Sequence, residues 1–198
     1  MAAHPDWALG FEDEVWWSRT AQPDLHSWTT GDEQLRLEEK AVAKDDSDPT
    51  ALACYGLLVR ATPTTPEQIW VRFAKGQPVS ALTTQFLGWC CERLAAQGKR
   101  ALLLVWDNAS WHKSQVVRTW MRAHNRQVKT DGTGVRIVAC LLPSKSPWLN
   151  PIEPKWVHGK RAVLEPARVL TKQELADRVC AYYGCDHDAH LFIPEKAA

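Results

Sequence analysis

The run Ala101-Leu-Leu-Leu-Val-Trp106 constrains this chain more than any other stretch. Six apolar residues without alternation suit a strand buried on both faces, inside a sheet with helices above and below. Asp107 follows at once, so an acid is delivered to the end of the most deeply buried strand. The flanking segments supply the rest of such a sheet. Trp7–Phe11 is a short apolar run expected to form a strand that ends on Glu12, Asp13 and Glu14. Gln34–Ala43 alternates in part and is expected as a second strand, Ala51–Arg60 as a third, and Ile69–Phe73 as a short extra one.

Helical spacing of apolar residues runs from Val79 to Gln97 and is closed by Gly98. Lys113–Val128 reads as an amphipathic helix, and Val135–Leu142 as another buried strand. Pro143–Pro154 is proline-rich and irregular, with a helix to follow. Thr171-Lys-Gln-Glu174 has the capping-box pattern and predicts a last helix over 172–183. The early strands are closely joined and expected antiparallel; the later ones need helical crossovers and are expected parallel. The expected fold is α/β: a ribonuclease H-like mixed sheet flanked by helices.

A chain of 198 residues makes one domain rather than two. Residues 1–170 are read as its body and 171–198 as a C-terminal helix and tail. No stretch approaches the roughly 18 apolar residues that span a bilayer. The first residues carry neither a basic nor a long apolar segment, so a cytoplasmic protein without membrane contact is expected. Six cysteines are too few for a disulfide scaffold at this length. Cys180, Cys185, His187 and His190 have zinc-compatible side chains, but their spacing is not that of a zinc finger. The net charge of +1 hides an asymmetry: residues 99–172 hold 14 Lys+Arg against 4 Asp+Glu. Such a basic block suits contact with a polyanion.

Asp13, Asp107 and Glu153 stand out by position, two at strand ends and one at the start of a helix after the proline-rich loop. Neighbouring strand ends open on one crevice. Three acids gathered there repel one another unless a cation neutralises them. Mg²⁺ or Mn²⁺ suits hard oxygen ligands, and two such ions can drive phosphodiester cleavage.

The local sequences around these acids carry a resemblance. Phe11-Glu-Asp-Glu-Val-Trp16 with Trp28 and Gly31, Leu104-Val-Trp-Asp-Asn-Ala-Ser-Trp-His112, and Leu141-Leu-Pro-Ser-Lys-Ser-Pro-Trp-Leu-Asn-Pro-Ile-Glu-Pro-Lys-Trp156 resemble the three catalytic blocks of IS630/mariner-type DDE transposases. The likeness runs over about residues 7–165, and by it Asp13, Asp107 and Glu153 match the DDE triad. It implies metal-dependent DNA cleavage and strand transfer, with transposon ends and target DNA as partners and a homo-oligomer assembled on DNA. The 45 residues between Asp107 and Glu153 exceed the family's usual spacing, and the excess is expected in a loop around Asn125–Gly134. The chain begins almost at its first strand, so a separate helix-turn-helix subunit or an upstream reading frame is expected to recognise the ends. A truncated, non-catalytic DNA-binding remnant is the competing reading; a nuclease acting on RNA hybrids fits the third block poorly.

The remaining candidates are read for DNA contact. Asn108 either orients a metal-bound water or phosphate, or caps the following helix; His112 either touches the scissile DNA or lies in that helix's first turn. Lys145, Lys155, Lys160 and Arg161 are candidates for phosphate contact. Trp148 is a candidate for stacking on an unpaired base. Asn150 belongs to the loop that delivers Glu153, and Trp156 is expected in the core.

Overall fold

The computed structural model describes residues 4–22, 40–63 and 65–193. One five-stranded sheet organises them. Its strands are β1 (Trp7–Ser18), β2 (Ala51–Val59), β3 (Gln68–Ala74), β4 (Ala101–Trp106) and β5 (Arg136–Leu141), in the order β3-β2-β1-β4-β5. β2 lies antiparallel to β1 and β3, whereas β1, β4 and β5 run parallel. The helices are α1 (Ser80–Ala96), α2 (Gln115–Asp131), α3 (Glu153–Ala162) and α4 (Lys172–Tyr183). This is the mixed, helix-flanked, ribonuclease H-like sheet that the sequence predicts. The proposed strand at Gln34–Ala43 lies largely outside the described residues, and its described part, residues 40–43, is not strand. Trp28 and Gly31 are also outside them.

Two cores form, one on each face of the sheet. Beneath α1 and α2, Leu57, Phe86, Leu87, Leu94, Leu102, Leu104 and Val117 pack together. On the other face Trp17, Leu58, Phe73, Ile152, Trp156 and Val179 do so beneath α3 and α4. α4 starts with the predicted capping box between Thr171 and Glu174 and buries Leu175, Ala176, Val179 and Cys180. The predicted C-terminal helix thus packs into the core of the domain. Two glycines admit the second layer. A Cβ on Gly56 would meet the Trp156 ring, and one on Gly159 would meet the Tyr183 hydroxyl and Trp17.

Two boundaries differ from expectation. β1 does not stop at the acids. Its pairing with β2 continues from Gly10 to Ser18, and Val15 and Trp17 beyond them are buried. Cross-strand pairing and renewed burial thus carry the strand through three charged residues, and Asp13 lies within it. The segment from Asn125 is not a loop either: α2 runs on to Asp131 and ends at Gly132 in the left-handed conformation (φ 69°). Residues 125–131 are helix, and only residues 132–135 before β5 are irregular.

Candidate active site

β1 and β4 pair from Trp7–Ala101 to Phe11–Val105. Two residues further in that register, Asp13 stands opposite Asp107, just where β4 ends at Trp106. Strand alternation then sorts the three acids of β1. Asp13 faces α3, while Glu12 and Glu14 face the α1/α2 side, where His112 meets them.

On the α3 side, Asp13 Oδ2 accepts the indole N–H of Trp156 at 2.8 Å. Burial pushes the Asp13 carboxyl up to about 7, with Glu153 adding to the push and the indole N–H opposing it. Glu153 is the first residue of α3. Burial raises its carboxyl, nearby Asp107 raises it further, and Lys160, two turns on, pulls it down. Glu153 thus feels both aspartates, and the three acids share one electrostatic neighbourhood. No lysine or arginine forms an ion pair with any of the three among the described residues. Carboxylates without an ammonium or guanidinium partner are the oxygen donors a hard divalent cation takes, although the ligand atoms of these three do not all lie within metal-ligand spacing of one another.

The opposite face solves the same problem internally. His112 is 2 % exposed and stacks on Trp106, with ring centroids 4.5 Å apart. Its Nδ1 lies 2.8 Å from Asp107 Oδ1, and its Nε2 3.1 Å from Glu14 Oε1 and 3.2 Å from Glu12 Oε2. Burial alone would lower the imidazole pKa, but Glu12, Asp107 and Glu14 outweigh it and drive it far above its usual range. Both ring nitrogens face carboxylate oxygens, which favours the charged form of the ring. The Glu12 contact has ion-pair distance without hydrogen-bond alignment, and neither carboxylate oxygen of Glu12 receives a hydrogen bond. Burial, then Glu14, pushes the Glu12 carboxyl upward. Trp111 Nε1–H also donates to Glu14 Oε1, at 2.8 Å. Ligand atoms of Glu12, Glu14 and His112 lie within 4.8 Å of one another, a spacing that fits a divalent metal.

His112 also fixes Asp107. Oδ1 accepts both the ring Nδ1–H and the Ala109 backbone N–H, each at 2.8 Å. Oδ2 accepts neither, and the Asp107 side chain is 51 % exposed. One oxygen is anchored and the other is turned outward. With Asp107 held by hydrogen bonds to His112 and Ala109, its carboxyl pKa is depressed.

The other candidates separate. Asn108 does not cap α2, a role taken by Ser114; its amide donates to the Leu142 carbonyl. His112 precedes α2 rather than lying in its first turn, and both its nitrogens are engaged inside the fold. Asn150 is 2 % exposed and donates to the Glu12 carbonyl at 3.1 Å, tying the proline-rich loop to β1. Trp148 is 75 % exposed at the loop's tip. Lys145, in the same loop, is exposed with a left-handed backbone (φ 59°). Lys160 and Arg161 are exposed on α3, and helical geometry sets Lys160 on the side of Glu153. Lys155 stands on the other side of α3, 2.8 Å from Glu67, and is not brought to the crevice. Cys180, Cys185, His187 and His190 do not converge on one point: the His187 and His190 Nε2 atoms lie 3.2 Å apart, while Cys185 donates to the Cys180 carbonyl. Among the described residues only Glu12, Glu14 and His112 form a metal-sized group of such side chains.

An acidic crevice at the end of a ribonuclease H-like sheet defines a class of nucleic-acid enzymes. The family model of the DDE superfamily endonucleases matches residues 65–176, more than half of the chain, and the chain belongs to that family. The match includes Asp107 and Glu153; Asp13 lies before it and joins them through the fold. Among solved structures, the chain is similar to the Mos1 transposase paired-end complex with left transposon end (TM-score 0.61, 14 % identity, covering 91 % of this chain and 48 % of that one). It is equally similar to the Mos1 mariner paired-end complex with Mn (0.62, 13 %, 90 % and 48 %). The Mos1 catalytic domain with Raltegravir and Mn also matches (0.52, 12 %, 90 % and 70 %). The chain therefore has the fold of that catalytic domain and spans about half the length of the longer transposase chains it matches. No curated protein matches it in sequence. No helix among the described residues is long and apolar enough to cross a membrane.

Sequence reasoning passed over Glu12, Glu14 and the Trp156–Asp13 bond. Period-two alternation along β1 held the signal for the first pair, since it sets them on the face opposite Asp13.

Proposed function

We propose that the chain is the catalytic part of a DNA transposase of the IS630/mariner type, cleaving and joining DNA strands with Mg²⁺ or Mn²⁺. The observation that carries this reading is the pair Asp13 and Glu153, buried enough to be raised by burial and by neighbouring acids while no lysine or arginine pairs with them. Asp13, Asp107 and Glu153 would hold the metal, as two ions. Bound there, such ions activate a water or 3′-hydroxyl and stabilise the leaving oxygen of a phosphodiester.

The chain's own part is positioning. Trp156 holds Asp13 by one oxygen, and His112 with Ala109 holds Asp107 by one oxygen. Asn150 fastens the loop before Glu153 to the β1 backbone. Lys160, Arg161 and Lys145 offer positive charge to DNA phosphates, and Trp148 offers a ring to an unpaired base. Transposon ends and target DNA are the partners of this reading, with an oligomer on DNA and end recognition by a helix-turn-helix element.

Asp107→Asn tests it. The substitution keeps the side chain's shape and removes a ligand charge. With pre-cut ends and a helix-turn-helix partner supplied, the unaltered chain should nick and join DNA only with Mg²⁺ or Mn²⁺. The variant should lose that activity and keep binding DNA, since phosphate contacts supply most of the affinity. Metal-dependent cleavage surviving in the variant refutes the role given to Asp107; cleavage lacking in the unaltered chain refutes the catalytic reading and leaves a non-catalytic DNA binder.

A further inference from the structure

α2 carries a row of cations that the crevice does not use. Arg118, Arg122, Arg126 and Lys129 are all exposed, and at 100° per residue they fall within an arc of roughly 80°. None of the four has an ion-pair partner among the described residues. The helix holds one acid, Asp131, and its carboxylate is taken by Gln127. Like charges at i, i+4 repel across a helix surface, so this row opposes folding unless counter-charge comes from outside.

The placement of the row is fixed by the packing of the helix. Val117 is buried, and Trp120 and Met121 pack against the same core as α1. On the other flank the Asn125 amide grips the Ile137 backbone, donating to its carbonyl and accepting from its N–H, each at 2.8 Å. That double bond pins α2 to β5, which is an edge strand. The cationic arc lies beyond Asn125, outboard of the sheet. Arg136, exposed at the start of β5, extends it at the far end, and exposed Lys113 at the end near Asp107.

α2 begins eight positions after Asp107, beside the crevice, and runs back along the domain for about 25 Å. Successive arginines rise about 6 Å along the axis, and one DNA strand carries a charge every ~3.4 Å. The row therefore offers about one cation for every two phosphates of a strand, over about five base pairs.

We propose that the outer face of α2 is a second DNA-contact surface, holding the backbone of a duplex that leaves the crevice past the β5 edge. It rests on the nuclease reading above for its choice of polyanion, and it is separate from the crevice residues in position. The contact is to phosphates and carries no base readout.

The experiment measures the affinity of the full chain for a 30-base-pair duplex of arbitrary sequence, by fluorescence anisotropy, as salt is raised from about 50 to 200 mM. Arg118→Gln/Arg122→Gln is compared with the charge-matched Lys44→Gln/Lys75→Gln. Two lost phosphate contacts flatten the log–log salt slope by about 1.8, so over that range the unaltered chain should lose about 12-fold more affinity than the α2 variant. The control should follow the unaltered chain. Thermal unfolding should show the α2 variant folded. A salt slope equal to that of the control overturns the inference. So does an α2 variant that binds DNA normally but changes oligomeric state in sedimentation, because the row would then serve a protein neighbour. Metal-dependent cleavage with an unaltered α2 slope sinks this inference alone; an α2-dependent slope without cleavage supports it and sinks the catalytic reading instead.

Discussion

β1 presents acids to both sides of the sheet, and the two sides treat them differently. Glu12 and Glu14 face the His112 ring, whose pKa the neighbouring carboxylates raise against the effect of burial. Asp13, between them, faces Glu153 and an indole N–H. One acidic cluster has a basic ring among its carboxylates; the other has no basic side chain at ion-pair distance from Asp13 or Glu153 among the described residues. A structural ion pair, once buried, is fixed in composition. A cluster without a lysine or arginine partner can take up and release a diffusible ion, which is what a metal-dependent catalyst requires. Asp107 joins the two, one oxygen on the His112 ring and the other turned out.

The contrast is broken most severely by His112→Ala. Removing one partner of a buried charge group typically costs about 3–5 kcal/mol, so the melting temperature should fall by roughly 10 °C. Adding Glu12→Gln should restore part of that loss, because the orphaned acid is gone. A melting temperature within ~2 °C of the unaltered chain would show that the ring is not the cluster's counter-charge.

Asp13→Asn should act in the opposite direction. Without metal, Asp13 has a folded pKa raised from 3.8 to about 7. The stability associated with its protonated form is present below the unfolded pKa and lost as pH rises through the folded one. Metal-free protein should therefore lose up to about 3 kcal/mol between about pH 4 and 7 through this group. The difference between the unaltered chain and Asp13→Asn isolates that loss: the variant should be relatively more stable at neutral pH, and Mn²⁺ should raise the melting temperature of the unaltered chain only. Equal pH profiles would remove Asp13 from the uncompensated cluster.

Gly56→Ala sharpens the comparison from the packing side. The added methyl meets the Trp156 ring that holds Asp13, and overpacking of this kind costs about 2 kcal/mol. Metal affinity should fall with stability while the His112 cluster stays intact, as seen by Mn²⁺ titration. Trp148→Ala should change stability by less than ~0.5 kcal/mol. Its effect is expected on DNA with a single-stranded overhang, weakened by about 1–3 kcal/mol per lost stack, with blunt duplex unaffected.

Much of this architecture is legible in the sequence because local pattern and global role agree there. The unbroken apolar run before Asp107 could only be a central strand, and the capping box at Thr171 marked the last helix to the residue. The course of β1 was not legible. Local charge at Glu12–Glu14 argues for an end, and only pairing with β2, some forty residues away, overrules it. The setting of His112 was not legible for a related reason. Sequence places it near DNA or in a first helical turn, whereas Glu12 and Glu14, which it meets, come from a strand a hundred positions earlier. Lys155 and Lys160 differ by little more than a helical turn in sequence, but α3 turns them to opposite sides.

Of the 45 residues between Asp107 and Glu153, 17 form a helix that starts near the crevice and points away from it. Its near end is set by the Ser114 cap and by Asn125 on β5. Any change in length is thus expressed at the Gly132 end, where the chain turns back into β5. The spacer behaves like a telescoping arm on a fixed bearing: whole turns, about 5.4 Å each, can be added or removed while the geometry of the chemistry stays where it is. Two proteins with the same three acids could in this way differ in how far their grip on DNA extends.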